Sequence, residues 1–184
     1  YSHKEYVRQQ GLPVYGSILS NSNGSVNRHL FIGEPSVDPY ISDVYRIGYN
    51  FKHVFDHGWT FKQNFTVQKS RLDGQAVFIN SSSATESTIA RQGRDQHYDD
   101  LNVSIDNNIS NTFEIAGMQH HIMLGLDAMR DTRDLWNYNC SIGALNIYAP
   151  SYTSKDWCAT KTLRSDSVET TLKTMGLYFR DQID

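Results

Sequence analysis

The sequence contains no long hydrophobic run, since none of its apolar stretches approaches the roughly 18 residues that a membrane-spanning helix requires. This absence excludes a helical membrane protein. The net charge is only −3 at pH 7 and the 17 Lys and Arg residues are scattered, which argues against nucleic acid as a partner. We also find no nucleophile elbow, no glycine loop for phosphate and no closely spaced Cys/His pattern. We therefore expect neither an enzyme nor a cofactor.

The ends of the chain lack the features of a complete gene product. The sequence begins at Tyr1 rather than Met, and no charged and apolar segments typical of a secretion signal follow. Asp184 comes directly after a strand-like pattern. We expect residues 1–184 to be a piece of a longer protein.

Aromatic residues, by contrast, are abundant: 11 Tyr and 8 Phe favour strands. Between Tyr45 and Lys69, apolar and polar residues alternate on both sides of a turn at Asp56, His57 and Gly58. Because strand side chains point alternately to opposite faces, this segment is predicted to be a hairpin with one aromatic and one polar face. The aromatic face contains Tyr45, Ile47, Tyr49, Phe51, Phe55, Trp59, Phe61, Phe65 and Val67.

The same alternation continues farther along the chain. It predicts strands around Leu101–Ile105, around Ile122–Leu126 and around Met175–Phe179, with a short turn at 110–112. Tyr1–Val7 is interpreted as the tail of a preceding strand. Long polar loops are expected at 11–39, 80–88 and 136–164.

Long and short connections therefore alternate, and an aromatic girdle lies near the first tight turn. Both features are typical of outer-membrane barrels, which have short periplasmic turns and long extracellular loops. The predicted fold is all-β: an antiparallel up-and-down transmembrane β-barrel segment of about five strands plus a stub. Such a segment cannot close by itself, because these barrels need at least about 8 strands, so a much larger parent barrel is implied.

Several segments resemble the TonB-dependent outer-membrane receptors for ferric siderophores, in particular the ferrichrome and hydroxamate branch. The order and spacing of the segments along nearly the whole chain carry the resemblance, and Gly33-Glu34-Pro35 and the last segment contribute most. The segments are 11–16, 31–35, 45–49 through 59–64, 124–127, 146–150 and Gly176-Leu177-Tyr178-Phe179-Arg180-Asp181-Gln182.

The resemblance implies a barrel of about 22 strands with a plugged lumen, of which this chain would form about a quarter. It implies import of a ferric siderophore across the outer membrane of a Gram-negative bacterium, with energy delivered by the TonB complex. The partners would be the ferric siderophore as cargo, the outer-membrane lipid, and TonB through a missing N-terminal region. The plug domain and the TonB box are expected to lie outside residues 1–184.

In this family, aromatic residues at the tops of barrel strands contact the siderophore. The resemblance assigns this role to Phe78, Trp136 and Tyr138, while Asn80 stands where relatives carry a second aromatic. Trp136 reaches the ligand only if a bulge or a strand end interrupts the alternation, which otherwise turns this side chain toward lipid. The alternative for each ring is a position in the extracellular girdle.

Cys140 and Cys158 lie in one expected extracellular loop, in an oxidising compartment. A disulfide between them would close a loop of about 18 residues and stabilise it by about 3 kcal/mol in the chain-entropy model. Free thiols are the alternative, followed by metal ligation.

Two other functions remain open from the sequence. A soluble, secreted β-sandwich that binds ligands through aromatic residues would also show alternating strands. A passive porin fragment would share the barrel but not the segments that resemble active receptors. Within the receptor family, the cargo is expected to be a hydroxamate chelate, and a linear hydroxamate or another metal chelate is equally compatible because the loops set specificity.

Overall fold

The computed structural model describes residues 1–8, 11–36, 39–152 and 157–184. The strands are β1 (Ser2–Tyr6), β2 (Tyr40–Val54), β3 (Thr60–Ser81), β4 (Thr88–Ile115), β5 (Met118–Cys140), β6 (Leu145–Asn146), β7 (Lys161–Leu163) and β8 (Val168–Ile183). The long strands pair antiparallel in the order β1-β2-β3-β4-β5-β8, while β6 pairs with β4 and β7 with β5. The all-β class, with five long strands and a stub, is confirmed. In the described part of the chain, no helix combines the length and apolarity needed to cross a membrane.

Tight turns connect the strands at one end of the sheet, which we call the turn end. Between β2 and β3 the chain passes through a 3₁₀ turn at Asp56–Gly58, where His57 and Gly58 have φ values of 66° and 83°. Between β4 and β5 the turn is at Ala116 and Gly117, with φ values of 56° and 81°. Two consecutive positive φ values match the twist of the flanking strands in a hairpin.

The predicted turn at 110–112 is therefore wrong. These polar residues are inside β4, and Asn111 pairs with Ile122 of β5. The Asn111 amide also donates a 3.1 Å hydrogen bond to the His57 carbonyl of the neighbouring turn. A polar residue near the end of a strand resembles a loop in the sequence, whereas here it connects two adjacent turns.

The pairing register divides the side chains of the sheet between two faces. Tyr49 pairs with Phe65, Phe65 with Ile105, Ile105 with Ala128, and Ala128 with Met175, so these residues share one face. We call it the band face, because it carries every residue of the predicted apolar set on β2 to β5 and β8. The opposite polar face carries Lys52, Lys62, Asn64, Asp106, Asp127 and Arg180.

Apolar residues on the band face occupy only part of its height. On β3 the apolar band extends over the seven residues from Phe61 to Val67, and Trp59 just before the strand lengthens it to nine, close to the roughly 9–11 residues with which a tilted strand crosses a bilayer. Beyond it, one row of paired positions is charged on each of the five long strands: Asp43, Arg71, Asp99, Asp134 and Glu169. Because β4 has 28 residues and β5 has 23, both strands continue well past the band.

The end of the sheet beyond this charged row, which we call the loop end, carries the longer connections. These loops fill a small core of their own: the buried residues are Val26, Ile32, Ile89, Leu145 and Ile147. The loops are also joined by hydrogen bonds, since Asn21 Nδ2 donates to the carbonyls of Ser83 and Glu86, and the Ile147 amide donates to the Ser87 carbonyl. Three connections therefore pack together as one unit.

A buried ion pair attaches this unit to β4. The side chains of Arg91 and Glu34 are each 2% exposed, and Arg91 Nη2 lies 3.3 Å from Glu34 Oε2. The same guanidinium donates to the carbonyls of Ile32 and Gly33 in one loop and of Gly143 in another. Because a buried charge is tolerated only when it is paired and hydrogen-bonded, Arg91 holds both loops against the strand.

Candidate functional site

The three aromatic residues predicted to contact ligand lie near the loop end but on two different faces. Phe78 pairs with Gln92 on the polar face. Trp136 pairs with His97 and Tyr138 with Asp95, both on the band face. The β4–β5 register from Gly93–Cys140 to Ile115–Met118 contains no shift. The interruption that Trp136 needed in order to reach Phe78 is therefore missing, because β5 continues to Cys140 instead of ending at residue 136.

Trp136 and Tyr138 instead belong to a cluster on the band face beyond the apolar band. Trp136 is 42% exposed, and the Tyr138 ring contacts His97 edge-on and lies 4.5 Å below the Lys161 ammonium. His97 bonds to Asp73 and Asp95 through its two ring nitrogens, at 2.6 and 2.9 Å. This cluster is an ionic network on the outside of the sheet, remote from the Phe78 ring.

Phe78 has two cationic neighbours on the polar face. The guanidinium carbon of Arg94 lies 4.7 Å from the centroid of the Phe78 ring, and that of Arg8 lies 5.5 Å from it. Arg8 also lies over the Tyr40 ring at 5.9 Å. Guanidinium groups over ring faces are attracted by the ring quadrupole, so Phe78 fixes both cations at the rim of the polar face.

Hydrogen bonds hold the side chains next to Phe78 in place. The Tyr40 hydroxyl, on a side chain that is 1% exposed, donates to Gln96 Oε1, and Arg8 Nη1 donates to the same oxygen at 3.3 Å. Gln96 Nε2 donates to Asn137 Oδ1 at 2.8 Å. The arrangement therefore extends across β2, β4 and β5, and each of its members has a defined orientation before any ligand arrives.

A third guanidinium nearby is already neutralised. Arg164 Nε lies 2.9 Å from Asp166 Oδ1, and this hydrogen bond lowers the pKa of the Asp166 carboxyl below its ordinary value. Arg164 Nη1 donates to Asn139 Oδ1, which also accepts from Gln92. Asp166 thus keeps its negative charge at neutral pH, and Arg164 serves to connect the loop to β5.

Cys140 and Cys158 form a disulfide in the structure, with their Cα atoms 4.7 Å apart. Next to it, Trp157 is buried with Val77 and Cys140. Its ring covers Gly93 so closely that any Cβ at this position would overlap it. The disulfide therefore anchors a loop whose tryptophan covers the band face at the loop end. No cluster of three or more His, Cys, Asp or Glu side chains able to hold a metal occurs in the described ranges.

Sequence reasoning missed Arg8, Arg94 and Gln96. The polar run 91–100 was not assigned to a strand, although extending the alternation back from Leu101 would have placed Arg94 and Gln96 on the polar face. Arg8 lies just after β1, where no periodicity indicates its direction. Glu34 belongs to a segment recognised by resemblance, and its bond to Arg91 gives that segment a structural role.

The chain is similar in sequence to curated siderophore receptors. It is 22% identical to the ferrioxamine B receptor of Salmonella typhimurium over 100% of its own length and 26% of that protein. It is 25% identical to the ferrichrome outer membrane transporter/phage receptor of Escherichia coli K12, over 93% of this chain and 26% of the relative. The chain therefore spans about a quarter of the length of the curated relatives it matches. No protein-family model matches it.

The fold comparison gives the same result. The closed form of the ferric-catecholate import receptor Fiu from E. coli K12 superposes with a TM-score of 0.80 at 17% identity, covering 98% of this chain and 28% of that one. An open form of the same receptor gives a TM-score of 0.72. These relatives are receptors and transporters, not enzymes. The predicted resemblance is confirmed: the chain is homologous to ferric-siderophore receptors and has the fold of an open segment of their β-barrel.

Proposed function

We propose that residues 1–184 form part of the barrel domain of an outer-membrane importer of ferric siderophores, energised through TonB. The observation that carries the proposal is the match along the whole chain to receptors of this kind. The apolar band supports a lipid-facing exterior, and the loop end corresponds to the extracellular side. The plug domain and the TonB-contacting segment belong to the rest of the protein in this proposal.

The proposed cargo is a ferric hydroxamate. The sequence relatives whose names state a cargo are receptors for ferrioxamine and ferrichrome, which supports this class. Phe78 is the proposed ligand contact, since it lies on the polar face, which faces the lumen in this proposal, and is only partly buried. Trp136 and Tyr138 lie on the opposite face of the sheet and are not part of the proposed ligand contact.

Uptake tests the proposal directly. The full-length protein that contains this chain is expressed in an E. coli strain without its own siderophore receptors, and radiolabelled iron is supplied as ferric hydroxamate. We expect iron accumulation that disappears when TonB is deleted. Accumulation independent of TonB would indicate a passive porin, and a protein recovered as a soluble monomer would indicate the secreted sandwich.

Binding tests the site. Phe78→Ala is expected to raise the dissociation constant of the full-length receptor for ferric hydroxamate about tenfold, because truncating an aromatic contact commonly costs more than about 1 kcal/mol. Trp136→Ala is the matched control and should leave the dissociation constant unchanged. Equal affinities of the Phe78 variant and the wild type in a folded receptor would remove Phe78 from the site.

A further inference from the structure

Arg8 and Arg94 flank Phe78 without any carboxylate partner among the described residues. Each lies over the Phe78 ring, and the Nε of Arg94 is buried and makes no hydrogen bond in the described part of the chain. Arg8 is hydrogen-bonded to a neutral amide, Gln96, at 3.3 Å, and its other polar neighbour is the Tyr40 hydroxyl. Two cations over one ring, neither paired with a carboxylate of the described residues, leave a local excess of positive charge there.

Three acidic groups of the surrounding segments are paired with other cations. Glu34 lines the same small cavity as Arg8, but its carboxylate is held by Arg91. Asp166 is bonded to Arg164. Lower on the polar face, Asp100 accepts two hydrogen bonds from Arg133, at 2.8 and 3.3 Å.

Between Asp100 and the loop end, the strand positions on the polar face carry no acidic residue. On β4 they are Gln92, Arg94, Gln96 and Tyr98, and on β5 they are Leu135, Asn137 and Asn139. A positive charge in a cleft that lacks balancing anions raises the local concentration of a negative ligand. Both guanidinium carbons lie within 5.5 Å of the centroid of the Phe78 ring, so a ligand that contacts this ring is close to both cations.

We propose that Arg8 and Arg94 form an anion-accepting clamp around Phe78 that gives the site a preference for ferric chelates carrying a negative group, such as a carboxylate or catecholate oxygen. The ring contacts the apolar body of the chelate, and the two guanidinium groups bond to its anionic edge. This inference rests on the proposed function, since it refines the cargo of the same site.

The test uses the purified full-length receptor and three ferric chelates. Two are linear trihydroxamates that differ only at the chain end, one with a free amine and one with that amine capped by succinate. The third is a ferric tris-catecholate. We expect the succinylated and catecholate chelates to bind at least tenfold more tightly than the amine form, and the difference to shrink as salt is raised.

Variants locate the effect. Arg94→Gln and Arg8→Gln are each expected to weaken binding of the anionic chelates by about ten- to a hundredfold, the usual loss for a hydrogen bond to a charged group, while changing the amine form less than threefold. Arg133→Gln is the control, because Arg133 is on the same face but is already bonded to Asp100. Retention of native mobility on unheated gels shows that each variant folds.

The outcomes separate the two proposals. If the three chelates bind equally, or if the arginine variants weaken all three alike, the clamp is overturned and the receptor assignment stands. If no chelate of any charge binds the folded wild type, the siderophore-receptor proposal fails and the clamp with it. Loss of discrimination in the Arg133 control would also overturn the clamp.

Discussion

The two ends of this sheet are stabilised in different ways. In the apolar band, which lies toward the turn end, large side chains remain exposed on the band face: Leu177 is 80% and Met175 is 79% exposed. At the loop end, Ile89 and Leu145 are each 1% exposed, because the connecting loops cover them. A single antiparallel sheet thus has its own packed core at one end and needs a surrounding apolar solvent at the other, as expected for strands that leave a bilayer on one side.

The largest effect is expected from breaking the buried ion pair at the loop end. Arg91→Met leaves the Glu34 carboxylate buried without a partner and removes the donors to three loop carbonyls, which should cost about 3–5 kcal/mol in loop docking. Hydrogen exchange of the amides of residues 25–36 and 143–148 in the full-length receptor measures this free energy of opening.

The matched control for this experiment is Arg133→Met. Its pair with Asp100 is exposed, with 54% of the Arg133 side chain accessible, so a loss below about 1 kcal/mol is expected. Adding Glu34→Leu to the Arg91 variant should recover part of the loss. Unchanged exchange in the Arg91 variant would show that the ion pair does not hold the loops.

At the turn end, the comparison is sharpened by a charge placed on either face. Phe65→Arg puts a cation in the middle of the apolar band and should destabilise the protein folded in lipid by about 2–4 kcal/mol. Asn64→Arg puts the same charge on the polar face beside Asp106 and should change the stability of the folded protein little. Urea titration of folding into lipid vesicles measures both variants. Equal losses would contradict the assignment of the two faces.

A smaller effect is expected where the loop end is packed most tightly. Gly93→Ala introduces a Cβ that overlaps the Trp157 ring, so the overpacking is expected to destabilise the docked loop by about 1–3 kcal/mol. Gly143→Ala is the control, because no atom lies within 4 Å of a Cβ built there. Hydrogen exchange of residues 157–163 reports the displacement. If both alanine variants behave like the wild type, Trp157 is not fixed on Gly93.

The sequence was sufficient to predict the strands of the apolar band but not those of the loop end, and the reason is physical. Around Phe65 and Ile105 one face of the sheet is apolar and the other is polar, so the period of two appears directly in the residue types. In β4 from Arg91 to Asp100 both faces are polar, and the alternation disappears although the strand continues. The predicted loops 80–88 and 136–164 were too long for the same reason, since the strands extend to Ser81 and Cys140.

The candidate site was predicted only in part. Phe78 was placed by resemblance and lies on the polar face, whereas its neighbours depend on contacts between distant segments: Arg8 and Phe78 are brought together only by the pairing of β1, β2 and β3. Trp136 was expected at the end of a strand, because the polar residues after it give no sign in the sequence that β5 continues to pair with β4. Long-range contacts of this kind leave no local signal in one sequence.

Spin labels on β4 test the central claim most directly. Single cysteines are introduced at Asp99, Ser104, Ile105 and Asp106 of the full-length receptor in lipid vesicles, with the native disulfide kept oxidised. We expect relaxation by oxygen, which concentrates in lipid, to be strong at Ile105 and weak at Ser104 and Asp106. A water-soluble nickel chelate should relax Asp99 on the same face as Ile105. Strong oxygen relaxation at Asp99, or none at Ile105, would contradict the account of a lipid-facing band that ends below a water-exposed loop end.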